Sequence, residues 1–138
     1  MLKKTIKYVD YNNEEREEDF YFNLTKTEIT EMNLSESGGL VEHIKLIVNS
    51  KDSKEIFRIF KMVVLAAFGI KTADGRFEKS EAISNGFLST AAFDVLIMSF
   101  FEDADVASSF MKGVIPAIEE EKKQALKDVN DQSLKNLK

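Results

Sequence analysis

Apolar and polar residues recur along this chain with two periods, and the change from one to the other divides it. Near the N-terminus the period is two. Thr5 to Tyr11 (TIKYVDY) and Asp19 to Leu24 (DFYFNL) are rich in β-branched and aromatic residues and flank the polar turn Asn12 to Glu15 (NNEE). This pattern predicts a β-hairpin over about residues 4–24, with Phe20, Phe22 and Leu24 on the packing face and Asp19, Tyr21 and Asn23 on the other. Because a two-stranded hairpin is marginal by itself, it must lean on helices or on another protein chain.

From Thr25 onward the period is helical. Thr25 to Glu28 (TKTE) is a capping box and predicts a short helix to about Asn33, broken by Ser35 to Gly39 (SESGG). Leu40, Val41, Ile44, Ile47 and Val48 then predict a helix over roughly Leu40 to Asn49. After a second break at Asn49 to Ser53, with Asp52 or Ser53 as N-cap, Ile56, Ile59, Phe60, Val63, Ala67 and Phe68 form one apolar stripe, widened by Phe57 and Val64. So wide a stripe belongs to a central helix covered on more than one side, and Gly69 suits its left-handed C-cap. The run Met62 to Ile70 falls far short of the roughly 20 residues that span a bilayer, so it reads as buried helix.

Directly after that run comes Lys71 to Phe87 (KTADGRFEKSEAISNGF), read as a connecting loop with a tight turn at Asp74-Gly75 and an N-cap at Ser80. A short helix over Ala82 to Leu88 follows, then a longer one over Ala91 to Phe101 with Phe93, Leu96, Ile97, Phe100 and Phe101 on its core face. Asp103 and Asp105 sit where a helix over Ala104 to Gly113 begins, and Pro116 ends it. The expected fold class is therefore α+β and mostly α. An N-terminal β-hairpin precedes a compact bundle of about five to six helices, together forming one globular domain over residues 1–116. Residues 117–138 are expected to be a charged C-terminal helix or flexible tail, with apolar positions thinned to Ile118, Leu126, Val129, Leu134 and Leu137. Such a segment reads either as a frayed end or as an arm that orders when Ile118, Leu126 and Val129 meet a partner's groove.

Composition narrows the functions. With 138 residues, 43% of them hydrophobic, and eleven Phe, one core is affordable without disulfides, which the absence of cysteine rules out along with thiolate metal sites. Nineteen basic against twenty-four acidic side chains leave a net charge of −5, which repels phosphate backbones. No basic patch overrides this: Lys3, Lys4 and Lys7 are the nearest thing to one, and Glu14 to Asp19 (EEREED) opposes them if the two segments pair. Neither nucleic acid nor membrane is expected as a partner. No apolar stretch follows the first lysines as in a secretory signal, so a cytosolic setting is expected.

Candidate chemistry is thin. Asp74-Gly75 matches only a fragment of a calcium loop, and the carboxylates of Glu102 to Asp105 (EDAD) lack a histidine or a further ligand nearby in sequence. His43, the only histidine, lies within a predicted helix among apolar neighbours, where a surface or packing role is expected. With no cysteine, no GxSxG and no Gly-rich phosphate loop, no catalytic, metal or cofactor-binding residue is expected, and the chain reads as a non-enzymatic interaction domain.

Three segments in order add a resemblance: NLTKTEITEMNLSESGGLVEHIKLIVNSKD, FKMVVLAAFGIKTADGRFEKS and FEDADVASSFMKGVIP. Their order and spacing over about Tyr8 to Pro116 resemble the tail assembly chaperones of siphophages that infect mainly Gram-positive bacteria. One departure is the single Arg76 before Phe77, where that family carries two basic residues. The resemblance implies an assembly factor of the host bacterial cytoplasm, absent from the mature virion. Such a factor binds the tape measure protein, recruits the major tail tube protein and self-associates, without a cofactor. On this basis partner binding is expected at Phe20, Phe22, Phe110 and Met111, with Ile118, Leu126 and Val129 in the tail. Self-association is expected at the loop carrying Asp74, Gly75, Arg76, Phe77 and Lys79. The alternatives are a structural virion subunit, such as a tail tube or head-tail connector protein, or another acidic interaction module.

Overall fold

A computed structural model describes residues 1–35, 39–40, 42–44, 46 and 53–115. Strands β1 (Leu2–Val9) and β2 (Glu15–Phe22) form the N-terminal antiparallel hairpin, in register from Leu2 opposite Phe22 to Val9 opposite Glu15. β2 starts at Glu15 rather than Asp19, and β1 ends at Val9 rather than Tyr11, because the turn between them is tightly bonded from Asp10 onward. The Asp10 carboxylate accepts from the amides of Asn12 at 2.9 Å and Glu14 at 3.0 Å and from the Arg16 guanidinium, while Asn13 takes a left-handed φ of 61°. Opposed charges then carry β2 back through its acidic stretch: Lys7 faces Glu17 at 3.9 Å, and the Thr5 hydroxyl donates to Asp19.

The sheet does not stop at two strands. Helix α2 (Ser53–Ala67) ends two residues before Gly69, and the backbone extends into β3 (Phe68–Lys71), which turns into β4 (Phe77–Glu78). The four strands lie in sequence order, each antiparallel to the last, with Phe68 opposite Phe22 and Gly69 opposite Tyr21. Gly69 is therefore no helix cap, and its φ is not left-handed. It is needed as glycine because a Cβ there would lie 2.6 Å from the Phe77 ring and 2.9 Å from the Glu78 carbonyl. The stretch read as a connecting loop is the turn of this second hairpin. Gly75 adopts φ 87°, and the Thr72 amide donates to the Arg76 carbonyl at 2.9 Å.

Helix starts follow the sequence closely. Helix α1 (Lys26–Ser35) begins with the reciprocal capping box: the Glu28 amide donates to Thr25 Oγ1 at 3.1 Å, and the Thr25 amide to Glu28 Oε1 at 3.0 Å. Residues 40, 42–44 and 46 are helical, and the rest of the helix predicted to Asn49 lies outside the described residues, as do Pro116 and 117–138. Ser80 caps α3 (Glu81–Leu88), Thr90 caps α4 (Ala91–Glu102) and Asp103 caps α5 (Ala104–Val114), each by accepting a backbone amide of the first turn. The core is a phenylalanine cluster where sheet and helices meet. Phe68 and Phe87 stack at 4.3 Å, and the fully buried Phe22 packs edge-on against Phe87 at 5.8 Å and Phe110 at 5.0 Å.

Candidate partner-binding surface

The residues first expected to meet a partner divide sharply. Phe22, Phe110 and Met111 are buried at 0%, 1% and 4% exposure, so they anchor the core and offer nothing to a second chain in this fold. Phe22 is enclosed by the rings of Phe68, Phe87 and Phe110, and Phe110 in turn packs on Phe100 of α4. Phe20 is half-buried among the rings of Tyr8, Phe68 and Phe87, the last at 5.2 Å. Ile118, Leu126 and Val129 lie outside the described residues.

The loop expected to carry self-association is mostly turned inward chemically. The Thr72 hydroxyl and Arg76 both donate to the Asp74 carboxylate, which together hold its pKa below the ordinary aspartate value. Arg76 also lies 3.9 Å from Glu78. Phe77 is half-buried over Gly69, and the tip from Ala73 to Arg76 is exposed. Lys79 reaches away from the loop. Its ammonium donates to the Asn23 carbonyl at 2.6 Å and to Glu28 Oε2 at 2.7 Å, tying the second hairpin to the start of α1. Burial raises the pKa of Glu28, but the bonds from Lys79 and Thr25 outweigh it and leave the carboxyl below its usual value.

The polar groups singled out for chemistry are structural. Asp103 accepts the Asp105 amide at 2.9 Å as the cap of α5 and Asp105 lies in its first turn, so these two carboxylates serve a helix start, while Glu102 is the last residue of α4. Among the described residues, no three His, Cys, Asp or Glu side chains converge to hold a metal ion. His43 Nε2 lies 3.3 Å from Glu55 and 3.4 Å from Arg58, joining the helical residues near 43 to the first turn of α2 through a polar cluster rather than an apolar one.

A different surface stands out. The sequence of α4, AAFDVLIMSFFE, has only Asp94, Ser99 and Glu102 as polar residues, so the helix is apolar nearly all the way round. Phe93, Leu96, Ile97 and Phe100 are buried as expected, and Ala92 with them, but Val95, Met98 and Phe101 are exposed at 41%, 47% and 47%. Phe101, expected on the core face, instead stacks at 5.9 Å on Phe57 of α2, itself 41% exposed. The signal was present in the sequence as an excess of apolar residues over what one buried face can use. No single helix among the described residues is long and apolar enough to cross a membrane.

With this geometry in place, comparison with known proteins gives one match. A family model described as a phage tail assembly chaperone matches residues 1–137. No curated protein and no solved structure matches significantly.

Proposed function

The chain belongs to the phage tail assembly chaperone family, and from that premise we propose that it holds the tape measure protein in soluble form and recruits tail tube subunits to it. The role expected of such a family is non-catalytic and consists of interaction with other tail proteins. One observation carries the finer reading: the solvent side of α4 offers Val95, Met98 and Phe101, with Phe57 beside them, where a free-standing protein would place polar groups. An apolar surface of modest size binds weakly per copy, and many copies along an elongated client would act by avidity. Self-association on the client and residence in the host cytoplasm, with absence from the finished virion, belong to the same proposal.

Co-expression with the tape measure protein of the same genome, followed by affinity purification and size-exclusion chromatography, tests it. Soluble co-elution of the two proteins, with insoluble tape measure protein in the absence of this chain, is the expected result. If the tape measure protein stays insoluble and this chain elutes alone, the reading fails. Finding the chain in purified virions would favour a structural subunit instead.

A further inference from the structure

On α4 (Ala91–Glu102), Met98 has Val95 and Phe101 three residues to either side and Asp94 and Glu102 four residues to either side. At about 100° per residue these five positions share one face roughly 120° wide, and all five are exposed. A surface helix places polar residues on that face, and a helix apolar on every side is ordinarily covered on every side. Here the centre of the outer face is apolar and its two ends are acidic. Methionine and aromatic side chains adapt to and enrich protein interfaces, which suits a centre of Met98 and Phe101 extended by Phe57.

We propose that this face docks an amphipathic helix of a client protein whose apolar stripe is flanked by lysine or arginine. The assignment rests on the chaperone reading above and narrows it to one surface and one partner chemistry. Charge selects the occupant. Asp94 and Glu102 lie about 12 Å apart along the axis at 1.5 Å per residue, so a helix aligned with α4 places one basic residue near each acid, outside about two apolar turns. A second copy of the chain is disfavoured in either orientation. Parallel pairing sets each acid against itself, and antiparallel pairing sets Asp94 against Glu102 at both ends. An anionic bilayer surface is repelled by the same two carboxylates.

The test uses the full chain and a fluorescein-labelled synthetic helix of about five turns, with leucine on one stripe and lysine at both ends of it, titrated by fluorescence anisotropy. Binding is expected to weaken at least about tenfold in the double variant Met98→Glu/Phe101→Glu. The variant Asp94→Lys/Glu102→Lys keeps the apolar centre, and should lose the lysine-flanked helix and gain a glutamate-flanked one. Circular dichroism and thermal unfolding check that both variants fold, which their exposed positions favour. Equal binding by the wild type and Met98→Glu/Phe101→Glu overturns the proposal, as does a wild-type preference for the glutamate-flanked helix. So does a wild-type dimer, or wild-type binding to phosphatidylserine vesicles, that Met98→Glu abolishes. Capture of the tape measure protein by the same variants separates the two levels. If wild type and Met98→Glu/Phe101→Glu capture it equally, the face is wrong while the chaperone reading stands. If the wild type captures none yet binds the lysine-flanked helix through Met98, the face stands and the client was misidentified.

Discussion

The two hairpins of this molecule are built on opposite principles. The first pairs eight residues with eight, yet only Tyr21 and Phe22 at its base meet β3. Its outer half is held by its own turn and by cross-strand charge, and it leaves Tyr11 79% exposed. The second pairs only Ile70 with Glu78 and Lys71 with Phe77. Pairing that short is too weak to stand alone, and it persists because Phe77 covers Gly69 while Lys79 reaches across to Asn23 and Glu28. Local bonds sustain the outer end of the first hairpin, whose inner residues Ile6 and Phe22 join the core, and tertiary contact sustains the whole of the second.

That contrast is sharpest at Gly69. Gly69→Ala forces a methyl group against the Phe77 ring and the Glu78 backbone carbonyl, and overpacking of this kind should cost about 2 to 3 kcal/mol in urea denaturation. Gly75→Ala meets no atom within 4 Å and suffers only from its positive φ, so it should cost about 1 kcal/mol. A larger loss at Gly75 than at Gly69 would mean that turn conformation, not packing, holds the second hairpin.

A smaller effect is expected at the lysine tether. Lys79→Met keeps the aliphatic stem and removes the ammonium, and with both partners partly open to solvent it should cost about 1 kcal/mol. The acid side of the stability curve supplies a second reading. Because the folded pKa of Glu28 is lowered from 4.5, its contribution is fully present above about pH 4.5 and is lost as the pH falls through the lower folded value. Lys79→Met should therefore show a shallower loss of stability on acidification than the wild type. An unchanged slope would show that Lys79 does not hold the Glu28 carboxylate.

The smallest global effect is expected in the first hairpin. Asp10→Ala removes the acceptor for Asn12, Glu14 and Arg16, but the tip touches little else. Amide exchange should accelerate between Val9 and Arg16 while the unfolding midpoint of the domain barely moves. If the midpoint fell as far as in Gly69→Ala, the outer hairpin would be part of the cooperative core rather than an appendage to it.

Much of the architecture could be read locally. The Thr25 to Glu28 box, the Ser80 cap and the acids before α5 act within one helical turn, and the helices begin at or within one residue of where those signals place them. What escaped depends on distant partners. Phe68 continues the apolar stripe of α2 and so reads as helix, but pairing with Phe22 far back in the chain draws it into a strand. The rings of Phe68, Phe87 and Phe110 enclose Phe22, which removes Phe22 and Phe110 from the partner surface expected of them. Met98 and Phe101 were legible only as surplus, since periodicity shows how many apolar residues a helix carries but not how many its neighbours can cover.

The span of the Lys79 tether bears on how the chain is made. Lys79 is separated from Glu28 by 51 residues, and at the usual 5 to 20 residues per second a ribosome takes roughly 3 to 10 s to deliver one after the other. For most of that interval, until Phe68 and Gly69 are made, β2 presents a raw edge at Tyr21 and Phe22. Unpaired edges of nascent strands are where polypeptides stick to one another. The acids that crowd β2 from Glu15 to Asp19 set like charge beside that edge, and such charge opposes pairing with another copy of the same strand.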